Sequence, residues 1–276
     1  MKIILSRKGF DSQYGGYPSP ILPDGGLFSL PIPNPNDTLF YSQLIVDDHK
    51  TYYDLMVELG IRPLYKRVPC PTCHLDPDIY RGIMPRSSNW KPLFGQINSA
   101  ARHLEKQGVG VGDLFLFFGW FKQTEYKNKK IAFVQDAPDL HVIFGYMQVG
   151  EIIKVESHSH LNEWMQYHPH VRSEQRKRNR TNTLYVARDR LCFNQSLPGA
   201  SPFNFSKRVV LTKDGFSRSR WDLDPEIFQS AIISYHPEPW KEGYFQSARR
   251  GQEFVIKENS KIEKWAKDLI ITNYTS

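Results

Sequence analysis

Residues 108–121, GVGVGDLFLFFGWF, and residues 141–157, HVIFGYMQVGEIIKVES, decide how this chain folds. The first passes from a helix-ending Gly108 through a Gly112-Asp113 turn into an unbroken apolar run, Leu114 to Phe118. A short apolar run bounded by glycine and rich in Phe reads as a strand buried on both faces. The second carries Phe144-Gly145-Tyr146 and Val149-Gly150-Glu151. Glycine inside a strand pattern marks a bulge or a sharp bend. Outward from these stretches, strand patterns continue in KIAFVQDA, TLYVARDRLCF, KRVVLT and SRSRWDL, and VLTKDGFSRSRW (210–221) is a hairpin candidate turning at Asp214-Gly215. Helical patterns are confined to TYYDLMVELG (51–60), INSAARHLEKQG (97–108) and NSKIEKWAKDLI (259–270), the last capped by Asn259 or Ser260. Residues 1–40 hold one strand, Ile3 to Leu5, and then a path whose prolines forbid central strands and long helices. The expected class is α+β, with a mixed or antiparallel β core elaborated by helices and long ordered loops.

Composition narrows the function. With 276 residues, 40% of them hydrophobic, the chain can bury a core without disulfides. Three cysteines make no disulfide framework and fit a reducing compartment. No signal-peptide pattern opens the chain and no apolar window approaches a membrane span, so a cytoplasmic protein is expected. Lysine and arginine exceed aspartate and glutamate by 36 to 29, a formal +7 whose field favours polyanions such as nucleic acid. Six Trp and fourteen Tyr supply surfaces that stack on bases or fill a β-rich core.

The order of parts in residues 105–156 resembles the core of PUA-like folds, including the EVE and ASCH families. That resemblance implies a small barrel whose cleft accepts a nucleotide or a flipped, modified base between aromatic walls, with Trp120 as the stacking residue. The alternative is that Trp120 is a core tryptophan. Across the whole chain, SRKGFDSQYGGYPSPILPDG, SLPIP, HLDPDI, GDLFLFFGWF, IFGYMQVGEI and SARRGQEFVI together resemble the third of the nucleotide modification associated domain families. This resemblance runs from Met1 to about Trp265 and suits one elaborated domain over 1–276. It implies a setting in bacteria and phages, beside genes for DNA-base modification, and supplies no mechanism.

Four constellations carry the chemistry. Arg7, Lys8, Asp11 and Ser12 leave the end of the first strand together, where two cations beside Gly9 suit a phosphate and Asp11 suits a base or a sugar hydroxyl. Neither a GxxxxGK[ST] loop nor a GxGxxG turn is present, and a solvated hairpin turn is the other reading. PCPTCHLDPDIYRG (69–82) offers Cys70, Cys73, His74, Asp76 and Asp78. One CxxC supplies half a zinc site, whereas two carboxylates two residues apart can share a cation or raise one another's pKa, or simply cap a turn. VESHSHLNEWMQYHPHVR (155–172) holds His158, His160, His168 and His170 ahead of the run Arg172 to Arg180. A metal set and a phosphate-contacting face including Arg172, Arg176, Lys177, Arg178 and Arg180 are both open there, the latter better matched to the composition. SARRGQEFVI (247–256) brings Arg249, Gln252 and Glu253 to a strand entrance, an arrangement that resembles ADP-ribosyltransferases in its late Glu. Gln252 otherwise suits a base edge.

The expectation is a nucleic-acid-modification protein binding a nucleotide or extruded base in a polar and aromatic pocket. Asp11, Asp76, Asp78 and Glu253 are its catalytic candidates, and Arg7, Lys8, Ser12, His74, Trp120, Arg249 and Gln252 its substrate-binding ones. The alternatives are an ADP-ribosyl or nucleotide-sugar transferase acting on nucleic acid, and a non-enzymatic component of a phage-defence or DNA-modification complex with partner proteins. No metal set is assigned and the cofactor is open.

Overall fold

The computed structural model describes residues 1–156 and 161–274. Nine strands form its main sheet among those residues: β1 (Ile3–Arg7), β2 (Ser19–Ile21), β3 (Leu93–Gln96), β4 (Leu114–Lys127), β5 (Lys130–Phe133), β6 (Leu140–Lys154), β7 (Thr183–Ala187), β8 (Ala200–Pro202) and β9 (Glu253–Ile256). The hydrogen-bonded path is β3-β7-β6-β4-β1-β9, with β2 and β5 on the far half of β4 and β8 on β6. β4 is parallel to β1 and antiparallel to β6, so the sheet is mixed and the class is α+β, as expected. The path does not close on itself among the described residues, and the barrel implied by residues 105–156 is replaced here by an open sheet.

The central run is apolar for a physical reason. Leu114, Phe115, Leu116, Phe117 and Phe118 are all fully buried, because both faces of β4 are covered. A long helix, α3 (Ser260–Asn273), lies against β1 and buries Ile262, Ala266, Leu269 and Ile270 in the same core. Asn259 caps this helix by accepting from the Lys261 and Ile262 amides. The other two longer helices, α1 (Tyr52–Glu58) and α2 (Asn98–Lys106), lie where the 3.6-residue pattern places them. Among the described residues, no helix is long and apolar enough to cross a membrane.

Both strand glycine motifs coincide with bulges. Phe117 pairs with Gly145 while Phe118 pairs with Ile143, which leaves Phe144 as the extra residue; a second register shift falls between Val149 and Glu151. Gly119 has a further use. A Cβ there would lie 2.7 Å from the Lys8 carbonyl oxygen, so only glycine lets the chain leaving β1 press against β4. The Lys8 amide then donates to Phe118 O at 2.8 Å, and Gly9, at φ +78°, turns the chain away from the sheet.

Candidate functional site

The turn after β1 opens into a cavity of about 750 Å³. Its walls come from five separated stretches: Arg7 with Phe10 to Gln13, Trp120 on β4, Pro138, Asp139 and His141 around the start of β6, Phe216 to Ser219, and Ala248 with Arg249. The size lies within the roughly 300–1,000 Å³ of small-molecule pockets. Arg7, Asp11, Ser12, Trp120 and Arg249, five residues singled out in the sequence, meet here although 242 positions separate the first from the last.

Most of these side chains are held. Arg7 donates to the Arg249 and Ala248 carbonyls and lies 5.3 Å from the Phe254 ring centroid. Burial pushes its pKa down, Asp11 opposes that, and the nearby Arg218 adds to it. Asp11 Oδ1 accepts the Gln13 and Tyr14 amides at 2.7 Å each, an Asx turn that shapes the loop. Arg218 donates to Ser12 Oγ at 2.6 Å and stacks 4.0 Å above the centre of the half-buried Trp120 ring, whose indole N–H donates to Asp139 Oδ1 at 2.8 Å. The pocket therefore presents the Arg7 and Arg218 guanidinium groups, with exposed Arg249 at its edge, against two carboxylates, an aromatic wall and several hydroxyls.

His141 pairs with Trp120 across the two strands and lines the same cavity. Burial first, then Arg7 and Arg218, hold its pKa well below the ordinary imidazole range. Nδ1 accepts from Trp221 Nε1 at 3.0 Å, which puts the proton of the neutral ring on Nε2. An unfolded imidazole titrates near pH ~6.5, so below that pH the unfolded state takes up a proton that the folded state does not. Stability then falls by about 1.4 kcal/mol per pH unit for this group until its folded pKa is reached. His141→Gln, which keeps an acceptor for Trp221, should lack that slope. In urea melts its stability deficit relative to wild type should shrink by about 1 kcal/mol between pH ~6.5 and ~5.5; a constant difference would rule out a depressed imidazole.

The remaining sequence candidates are placed elsewhere. Lys8 turns inward, its Nζ 2.7 Å from Glu253 Oε1, which also accepts Gln96 Nε2 at 2.7 Å. Glu253 is 1% exposed and does not line the cavity; Gln252 meets Arg7 only through its backbone carbonyl, and its side chain is exposed. Asp76 and Asp78 turn to different side-chain partners. Asp78 is buried against Arg86, and burial raises its pKa despite that arginine. Asp76 is surrounded by His74, His168 and His170; burial raises its pKa, but the contact with His168 above all keeps its carboxyl below the usual range. Burial pushes His170 down to about 3. Three ligand-type atoms converge in this cluster, from His74, Asp76 and His170.

Among the described residues, the CxxC does not join the cluster of ligand-type atoms. Cys73 packs in an apolar cluster with Phe10, Leu30 and Tyr41, burial raises its thiol pKa, and Cys192 is exposed and hydrogen-bonded to Gln148. The basic run divides. Arg176 is half-buried and grips Asp37 with both terminal nitrogens, Lys177 pairs with Glu174 at 2.9 Å, and Arg172, Arg178 and Arg180 are exposed. His158 and His160 lie outside the described residues.

Arg218, His141 and Asp139 escaped the sequence reading. Arg218 sits in the SRSRW half of the hairpin candidate, where a strand residue and a loop residue look alike. His141 is opposite Trp120 only because of the bulge at Phe144, and no spacing rule reports a cross-strand neighbour.

Comparison with known proteins settles the family. The model of the nucleotide modification associated domain 3 family matches residues 2–257, and the chain belongs to that family. No curated protein and no solved structure matches it.

Proposed function

We propose that this member of the nucleotide modification associated domain 3 family binds a nucleotide, or an extruded base with its flanking phosphate, in the cavity after β1. The observation that carries the reading is the meeting of Arg7, Arg218 and Arg249 with Trp120 around one cavity of about 750 Å³. Guanidinium groups match phosphate oxygens in pairs, and an indole offers a sequence-tolerant stacking face. Asp11, its Oδ1 tied to the turn, keeps a second oxygen for a sugar hydroxyl or an exocyclic amine. His141 Nε2–H supplies a neutral donor beside the arginines.

A family role in nucleotide modification suits this pocket. A transferase reading centred on Glu253 draws no support from the geometry, since that carboxylate is buried against Lys8. Any carboxylate chemistry in the cavity would fall to Asp11 or Asp139.

The test is binding of mononucleotides, dinucleotides and short single-stranded oligonucleotides at low salt, read by equilibrium dialysis and by melting temperature. Base stacking is worth about 1–3 kcal/mol, so Trp120→Ala should weaken the Kd by about 5- to 150-fold. Arg218→Ala should weaken it comparably and flatten its salt dependence. The reading is withdrawn if the wild-type protein binds none of these ligands, or if both variants bind as it does.

A further inference from the structure

We propose that His74, Asp76 and His170 form a binding site for a divalent first-row transition metal of the Zn²⁺ or Fe²⁺ type, held by two imidazole nitrogens and one carboxylate oxygen. The site stands apart from the nucleotide pocket and does not rest on that reading.

The ring tautomers carry the argument. His74 Nδ1 lies 2.9 Å from Asp37 Oδ2, a carboxylate that Arg176 holds from its other side and that can only accept. His170 Nδ1 lies 2.8 Å from Asn182 Oδ1, and that amide is oriented because its Nδ2 donates to the His170 and Arg176 carbonyls at 2.8 and 3.0 Å. Both rings therefore donate from Nδ1, which leaves a lone pair on each Nε2. Those two atoms face Asp76 Oδ2, at 3.8 Å from His74 and 3.7 Å from His170.

Three acceptors thus point at one another at distances too long for hydrogen bonds. The three ligand atoms lie within 4.8 Å of one another. A tetrahedral ion with bonds of about 2.0–2.1 Å has edges of about 3.4 Å, so small movements of the rings would close the set. The other carboxylate oxygen is anchored separately: Asp76 Oδ1 accepts the Gly95 amide at 2.9 Å, and His168 Nε2 sits 3.3 Å from it. His168 Nδ1 accepts the His170 amide, so Nε2 is that ring's protonated atom and His168 serves as a support for Asp76.

Charge points the same way. The Asp76 side chain is 5% exposed, and the arginine of this region is bound to Asp37 instead. A buried carboxylate needs a cation, and a bound dication would provide one. Packing conforms as well: a Cβ on Gly95 would lie 2.4 Å from His170 Cγ, so glycine is what lets the ring approach. Imidazole with a single carboxylate suits zinc or iron better than calcium or magnesium, which favour all-oxygen shells. Three protein ligands leave a coordination position open, and His74, 12% exposed at its side chain, is the accessible edge. Asp76 also shares a cavity of about 50 Å³ with Gly9, in the loop that carries Arg7 and Asp11, so the ion would sit behind that loop.

The experiment uses the full chain stripped with chelator and titrated with Zn²⁺ and with Co²⁺ in equilibrium dialysis. One equivalent of each should bind, with Co²⁺ giving visible d–d absorption and no thiolate charge-transfer band. His74→Gln combined with His170→Gln should abolish the equivalent, and Asp37→Asn, which removes no ligand, should weaken it by about 10- to 100-fold. The proposal is overturned if the wild type retains neither ion, if the double variant still binds one equivalent, or if a thiolate band marks the cysteines as ligands. Should the double variant not fold, Asp37→Asn decides alone: unchanged affinity overturns the site.

Discussion

Lys8→Met is expected to destabilise the protein by about 3–5 kcal/mol, because it leaves the Glu253 carboxylate buried without its cation. The Lys8 ammonium lies 2.7 Å from Glu253 Oε1 and 4.4 Å from the centre of the Phe94 ring, at side-chain exposures of 7% for the lysine and 1% for the glutamate. Glu253 Oε2 is buried with no partner, so the carboxylate already depends on Lys8 and Gln96 alone. Glu253→Leu alone strands the ammonium and should cost a similar amount. Joining Lys8→Met to Glu253→Leu should recover most of the loss, since a buried ion pair replaced by apolar groups of similar volume is often neutral. Urea denaturation of the three variants gives the coupling. If Lys8→Met lies within about 1 kcal/mol of wild type, the pair does not hold the fold together.

That pair bears on function through position. It ties the turn after β1 to β9 and so fixes where Arg7 and Asp11 enter the cavity. The sequence presents Lys8 and Glu253 as members of a polar site, and they are indeed neighbours across 245 positions. What it does not present is the direction of the side chains. Alternation along β1 puts Arg7 and Lys8 on opposite sides, and one residue of register separates a ligand-facing cation from a buried strut.

The fold shows the same division. Apolar runs and in-strand glycines, being local, announce β4, β6 and their bulges correctly. Closure into a barrel depends on whether distant edges β3 and β9 meet, which no local pattern encodes. The HLDPD and HPH motifs are each legible as metal-capable pieces. Their union is not, because it requires a short strand at Thr72–His74 and a helical turn at Pro169–Arg172 to meet over β3. Asn182 and Asp37, the residues that orient the two imidazoles, look ordinary in sequence, since a supporting residue is defined only by what it touches.

The run RSEQRKRNR poses this question most sharply, and one comparison answers it. Arg176→Ala should cost about 3 kcal/mol or more, for the Asp37 side chain it grips is only 4% exposed and would be left with His74 as its main partner. Single alanine substitutions at Arg172, Arg178 and Arg180, all exposed, should change stability by no more than about 0.5 kcal/mol. If the run is a phosphate-contacting face, the exposed three together should lower affinity for single-stranded nucleic acid and reduce the salt slope by about one for each phosphate no longer neutralised, on an intact fold. Arg176→Ala would then weaken binding only as far as it unfolds the protein, a difference that melting curves recorded alongside binding isotherms resolve. Equal stability for all four variants would mean that Asp37 is not secured by Arg176, and the orientation of His74 would need another cause.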